Sequence, residues 1–338
     1  MSKTAYLFPG QGSQYVGMGY DLYCKYQSAR SVYDRADKVL GFPLSKLCFE
    51  GPEEELGLTV NAQPALLVTS IAALEAAREA SRETARETVR ETARETSRET
   101  SREMARATAP GALSEPAYMA GHSLGEYTAL TAAGAMSFDT AVALVRERGR
   151  LMHEAGMEQP GAMAAIIGLS REVLADICSD IGAFIANLNC PGQIVISGAK
   201  DAVALVKAMA KERGAKLAMQ LQVSGAFHSP LMAHAAQGIR RFIDNAAIYA
   251  PKIPIIGNTS ALDILTADMV RGELKEQVCN CVRWEDSIRF MISHGVDSFI
   301  EFGPGDVLAG LVRRINDNAA VMSIGDNYAI EALGKMEV

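Results

Sequence analysis

The segment Gly121-His122-Ser123-Leu124-Gly125 places a serine at the centre of a G-x-S-x-G pattern. A short apolar run, Pro116-Ala117-Tyr118-Met119-Ala120, precedes it, and an Ala- and Leu-rich helical pattern begins near Glu126. Strand, sharp turn and helix make the setting of a nucleophile elbow. The turn strains the backbone and lifts the hydroxyl out of the sheet, the glycines admit neighbouring backbone, and the amide after the serine faces an oxyanion. Without that setting the pentapeptide is a weak match, and the alternative is a plain strand-to-helix turn.

A serine hydroxyl needs a base to attack at neutral pH, and the chain offers five histidines. His122 adjoins Ser123, but successive side chains leave the backbone in different directions. His153 and His234 fall within helical patterns and read as surface or packing residues. His294 precedes a strand, which sets it at the wrong edge of the sheet. His228 differs: it follows a strand ending near Val223, in Gly225-Ala226-Phe227-His228-Ser229-Pro230, at the edge where α/β sheets bind ligands. The chain order, serine and then histidine, is that of α/β hydrolases. The alternative for His228 is a structural histidine at a strand exit.

These groups must be positioned by the elements around them. Residues 4–8 read as a buried first strand that runs into Pro9-Gly10-Gln11-Gly12-Ser13-Gln14. That loop lacks the Walker and G-x-G-x-x-G spacings and offers free amides and two glutamine side chains instead. A helical pattern covers residues 61–77. Beyond it, residues 78–106 step in fours, as in Arg82-Glu83-Thr84-Ala85 and Arg86-Glu87-Thr88-Val89. On a helix each column of such a repeat drifts by about 40°, so no apolar stripe persists. Each Glu supports the next Arg, and Thr opposes helix formation. The expectation is an exposed charged helix inserted as a surface protrusion; a disordered loop is the alternative, and a partner-binding arm has no support.

Residues 163–224 predict strand (163–169), helix from Ser170 to about 181, strand pair (184–188 and 193–197), helix (201–213) and strand (216–223). This β-α-β-β-α-β order is that of a ferredoxin-like module. It interrupts an α/β domain that resumes at His228 and continues through a strand at 298–302 to a helix at 308–315. Hydrophobic residues make up 49 % of the chain and charged residues 22 %, an ordinary globular composition. A net charge of −7 argues against nucleic-acid binding. The six cysteines show no metal-ligand spacing, so no metal is expected, and they read as free thiols. With no signal-peptide core and no membrane-length apolar run, the expectation is a cytoplasmic protein off the membrane.

Phe8-Pro9-Gly10-Gln11-Gly12-Ser13-Gln14, Gln63-Pro64-Ala65, Gly121-His122-Ser123-Leu124-Gly125-Glu126-Tyr127, Arg148-Gly149, Gly225-Ala226-Phe227-His228-Ser229 and Phe302-Gly303-Pro304-Gly305 occur in the order found in malonyl-CoA:acyl carrier protein transacylases. The chain resembles that family from Thr4 to about Ile315, apart from the Arg-Glu-Thr tract. The resemblance implies an α/β fold: an α/β-hydrolase-like large domain (1–160 and 226–338) carrying a ferredoxin-like small domain (161–225). It implies that Ser123 accepts malonyl from malonyl-CoA and passes it to the phosphopantetheine thiol of acyl carrier protein. The enzyme would need no bound cofactor, act as a monomer and supply fatty acid or polyketide synthesis. His228 would be the base, the amides of Gln11 and Leu124 the oxyanion hole, and the carbonyl of Gln277 the group orienting the imidazole. Arg148 would clamp the malonyl carboxylate, with Phe227 and Met163 also contacting substrate; Phe227 resembles the malonyl-selective form, which leaves little room for a methyl branch. Taken alone, Arg148 between Arg146 and Arg150 would read as a solvated arginine. The rivals are a serine esterase or thioesterase, which needs no Arg148, and a non-catalytic protein displaying the charged repeat.

Overall fold

In a computed structural model, residues 3–95, 113–223 and 225–333 are described, 88–95 as backbone. Among the described residues ten strands run in chain order: β1 (Lys3–Phe8), β2 (Tyr118–Gly121), β3 (Gly161–Ile167), β4 (Phe184–Cys190), β5 (Gln193–Ala199), β6 (Leu217–Gln220), β7 (Ile255–Ile256), β8 (Asp263–Ile264), β9 (Val296–Phe302) and β10 (Ala320–Ile324). They form two sheets.

The larger has the order β10-β9-β1-β2-β7-β8. All its pairings are parallel except β7 with β8. Parallel strands need both faces covered, and β1 alternates accordingly: Tyr6 and Phe8 pack into one core, Ala5 and Leu7 into the other. The first core holds the helices Thr59–Glu95 and Phe138–Glu158, the second Trp284–Ser293 and Val307–Ile315. The chain leaves β1 toward β2 and returns on its other side as β9. The loops after β1 and β2 therefore open at the point where strand order reverses, the place at which α/β sheets bind ligands.

The smaller sheet is antiparallel, with the order β4-β5-β3-β6. Ser170 caps the helix Arg171–Ile181 by accepting the Val173 amide, and the helix Lys200–Glu212 crosses the same face. The expected β-α-β-β-α-β order is observed. The last strand is shorter than residues 216–223, ending at Gln220, although the Leu221 amide still reaches the Met163 carbonyl at 2.9 Å. Strand β4 extends past residue 188 to Cys190, which puts Asn187 and Asn189 on one face of the sheet. A parallel bridge from Asn187 to Val282 ties it to the larger unit.

Two expectations need correction. The large sheet does not end with the helix near residue 315, because β10 and the helix Asn327–Leu333 follow. The charged tract continues the buried helix without a break, over Thr59–Glu95. Its first turns are not wholly exposed: Ser81, Thr84 and Ala85 are half-buried while Arg82, Glu83, Arg86 and Glu87 face outward. A helix already nucleated in the core adds residues at little cost, so Thr does not stop it. The rest of the tract, 96–106, lies outside the described residues.

Candidate active site

Ser123 stands between β2 and the helix Leu124–Ala132 with φ 52° and ψ −103°, a region that costs a non-glycine residue about 1–3 kcal/mol. The flanking glycines are sterically required. A Cβ on Gly125 would lie 2.0 Å from the Phe8 carbonyl oxygen, and one on Gly121 would lie 2.0 Å from the Gly125 backbone. The sharp turn therefore seats the elbow directly on β1. Within it the Gly125 and Glu126 amides donate to His122 O and Ser123 O, and the Ser123 amide donates to Asn258 Oδ1. The Leu124 amide is left without an acceptor among the described residues, and Leu124 and Gln11 both border the cavity over the serine.

His228 reaches Ser123 from the loop after β6, its Nε2 lying 2.8 Å from Oγ. On its far side Nδ1 lies 3.0 Å from the Gln277 carbonyl oxygen and 3.1 Å from that of Asn280. Two carbonyls can only accept, so Nδ1 carries the ring proton and Nε2 is free to take the hydroxyl proton. No carboxylate takes part in this contact. Burial, and then the nearby Arg148 cation, push the His228 pKa from 6.5 down to about 3. The imidazole is therefore a neutral base at physiological pH.

Arg148, on the helix Phe138–Glu158, is buried at 1 % exposure. Its Nη1 donates to Gln63 Oε1 at 2.8 Å, and its Nη2 donates to Gln277 Oε1 at 2.9 Å and to Ser123 Oγ at 3.1 Å. Tyr127 lies under the guanidinium, 5.3 Å from the ring centre. Among the described residues no carboxylate forms an ion pair with Arg148, and its Nε has no partner. Glu126 acts on this cation only from behind the Gln277 side chain, and a buried cation with no carboxylate in contact is costly. The arrangement fits an incoming anion beside the nucleophile, and the flanking Arg146 and Arg150 do not share it: one bonds Val60 O and Asn61, the other Glu147 and Glu154.

The cavity holds about 230 Å³ and is walled by Gln11, Met163, Phe227 and Leu311 around Ser123, His228 and Arg148. Asn187, Asn189 and Val195 bring the face of the smaller sheet to it. Gln11, Ser123, Leu124, Arg148, Met163, Phe227 and His228 all border this cavity, and Gln277 bonds both His228 and Arg148. His122 does not serve the serine: its Nε2 bonds Asn189 Oδ1 at 2.9 Å and its ring packs on Trp284.

The acyl transferase domain model matches residues 5–85 and 101–331. The chain belongs to the acyl transferase family. The malonyl CoA-acyl carrier protein transacylase of Bacillus subtilis is 45 % identical over 98 % of this chain and 96 % of its own length. That of Escherichia coli K12 is 37 % identical over 98 % and 99 %. The transacylase structure from Coxiella burnetii superimposes with a TM-score of 0.87 at 35 % identity, covering 100 % of this chain and 98 % of its own. A malonyl-transacylase in complex with a type II PKS acyl-carrier protein gives 0.86 at 35 % identity, covering 98 % and 99 %.

In this acyl transferase, sequence reasoning passed over Asn258, Asn280 and the roles of the Gln63 and Glu126 side chains. Gln63 and Glu126 stand inside segments already singled out. Asn258 follows the end of β7, and an asparagine opening the polar run Asn258-Thr259-Ser260 at a parallel strand's carboxyl end was its available signal. The histidine also predicts a pH response. In the unfolded chain it binds a proton below pH 6.5, while the native ring stays neutral down to about 3. Its contribution to stability is therefore complete above pH 6.5 and is lost as pH falls from there toward 3. By the same shift, the rate of Ser123 acylation should show no histidine limb between about pH 5 and 8. Rapid-quench acylation across that range checks it, and a limb near 6.5 would mean a solvated imidazole.

Proposed function

We propose that this acyl transferase moves malonyl from malonyl-CoA to the phosphopantetheine thiol of acyl carrier protein, through a malonyl ester on Ser123, supplying fatty acid or polyketide synthesis. The observation that carries the reading is the buried Arg148 guanidinium, lacking a carboxylate partner and 3.1 Å from the nucleophile's oxygen. A substrate with a free carboxylate near its thioester suits it, and a plain acyl ester does not.

Ser123 Oγ attacks the thioester carbon while His228 Nε2 takes the hydroxyl proton. The amides of Leu124 and Gln11 hold the oxyanion. Collapse breaks the C–S bond, and Nε2 returns the proton to the coenzyme A thiolate. The carrier thiol then gives its proton to Nε2 and attacks the ester; Ser123 leaves and recovers the proton. The Gln277 carbonyl keeps the imidazole aimed, and Phe227 and Met163 bound the acyl group. The same reading assigns residues 1–160 and 226–338 to an α/β-hydrolase-like domain and 161–225 to a ferredoxin-like one; the four-stranded order β4-β5-β3-β6 with two helices on one face supports the second assignment.

Mass spectrometry after mixing with malonyl-CoA tests the proposal. The expected result is a malonyl adduct on Ser123 that is discharged by added holo carrier protein. Free malonate released at the same rate with or without carrier would identify a thioesterase instead.

A further inference from the structure

We propose that Glu126 is a positioning residue that sets nucleophile and base relative to one another, taking Ser123 and His228 in the roles assigned above. One of its carboxylate oxygens holds the residue that grips the serine turn, and the other holds the residue that aims the histidine.

On the serine side, Asn258 spans the turn. Its Oδ1 accepts the Ser123 amide at 2.6 Å and its Nδ2 donates to the Gly121 carbonyl at 2.7 Å. The backbone amide of Asn258 in turn donates to Glu126 Oε1 at 2.9 Å. On the histidine side, Gln277 Nε2 donates to Glu126 Oε2 and, at 2.8 Å, to the Ser123 carbonyl. The Gln277 backbone carbonyl is the one that accepts His228 Nδ1. Glu126 is therefore one bond from each grip, and it is fully buried, as is Gln277.

The polarity of this network has a single solution. The Asn258 amide can only donate, the Ser123 carbonyl can only accept, and Arg148 Nη2 can only donate to Gln277 Oε1. Gln277 must then present its NH2 to residue 126, which needs acceptors on both sides. A carboxylate meets that demand and an amide of the same size does not, because its NH2 would face either the Asn258 amide or the Gln277 NH2. Turning Gln277 over would oppose its oxygen to the Ser123 carbonyl and its NH2 to Arg148. Burial, and then the neighbouring Glu273, push the Glu126 pKa well up, while the Asn258 amide, the Gln277 NH2 and the Arg148 cation favour its carboxylate; the Glu273 oxygens are themselves occupied by the Thr259 amide and hydroxyl at 2.6 and 2.8 Å. A carboxyl group that merely filled the core would have no reason to be bonded to the residues that hold both halves of the catalytic pair.

The test uses a fluorophosphonate, from which Ser123 Oγ displaces fluoride as His228 takes its proton, so no malonyl group is needed. Glu126→Gln should label about 100-fold more slowly than the unaltered enzyme, with cooperative thermal unfolding retained. In steady-state malonyl transfer its kcat should fall while the KM for malonyl-CoA stays within about threefold. Labelling at the unaltered rate in the folded variant would overturn the proposal. Should Glu126→Gln fail to fold, Asn258→Asp makes the decision. At pH 8 its second carboxylate oxygen opposes the Gly121 carbonyl and labelling should be slow; at pH 5 the protonated acid can donate there and labelling should recover toward the unaltered enzyme at that pH. Equal rates at both pH values, fast or slow, would overturn it. An unaltered enzyme that labels yet accepts no malonyl would refute the malonyl reading and leave the role of Glu126 still decided by these variants.

Discussion

His228→Ala should slow acylation by malonyl-CoA by on the order of 10⁴- to 10⁶-fold, and Ser123→Ala, which leaves no oxygen to carry the ester, should give no adduct at all. A serine hydroxyl carries its proton at neutral pH, and the acceptor within reach is His228 Nε2 at 2.8 Å. The other group on Oγ, Arg148 Nη2, can only donate. It would stabilise an alkoxide once formed and cannot generate one. Because nucleophile and base act as a unit, adding His228→Ala to Ser123→Ala should change nothing further. Folding should survive in all three. Loss of the imidazole leaves the Asn280 carbonyl without this donor, at about 1–3 kcal/mol for a group left unpaired, while the Gln277 carbonyl keeps the Asn280 amide at 3.3 Å. Rapid-quench acylation followed by intact-mass measurement gives the rates. A His228→Ala enzyme within tenfold of the unaltered rate would mean that another group takes the proton.

Much of the elbow was legible because its glycines answer a steric demand that shows in one dimension. The spacing of Gly121 and Gly125 about the serine exists because β1 passes where a Gly125 Cβ would be, and the Gly125 backbone passes where a Gly121 Cβ would be. His228 was legible for a similar reason: a strand exit at the ligand edge is a position that a linear pattern can mark. Asn258 was not, since its contacts to Ser123 and Glu126 span 135 and 132 positions, and β7, which delivers it, is only two residues long. The second carbonyl on the imidazole, from Asn280, belongs to the backbone and has no side-chain signature. The charged tract misled in another way. Its drifting columns describe an isolated helix fairly, but this one extends a helix anchored in the core, so its first turns need no stripe of their own and find partial cover against the helix Asn327–Leu333 and Tyr26. Strand β10 went unrecognised because it is half-buried along most of its length and lacks the strong alternation that marks an inner strand.

Arg148→Ala should abolish the preference for malonyl over acetyl, and the ratio of the two is the informative quantity. The guanidinium touches the nucleophile as well as the space where a carboxylate would sit, so its loss slows both substrates. Malonyl alone loses the ion pair in addition. Truncating one side of a buried, hydrogen-bonded charge pair costs about 2–5 kcal/mol, which corresponds to a selectivity loss of about 30- to 4,000-fold. Arg148→Lys should recover part of it, because an ammonium keeps the charge but cannot present two parallel N–H groups or reach Gln63 and Gln277 together. A second signature accompanies the first. The Arg148 cation is one of the causes that hold the His228 pKa down, so removing it should raise that pKa and bring the acid limb of acetyl transfer to higher pH. Values of kcat/KM for malonyl-CoA and acetyl-CoA, each measured against pH, separate the two effects. If malonyl and acetyl transfer fell by the same factor, Arg148 would serve the serine alone, and the malonyl carboxylate would have to find its partner elsewhere in the cavity.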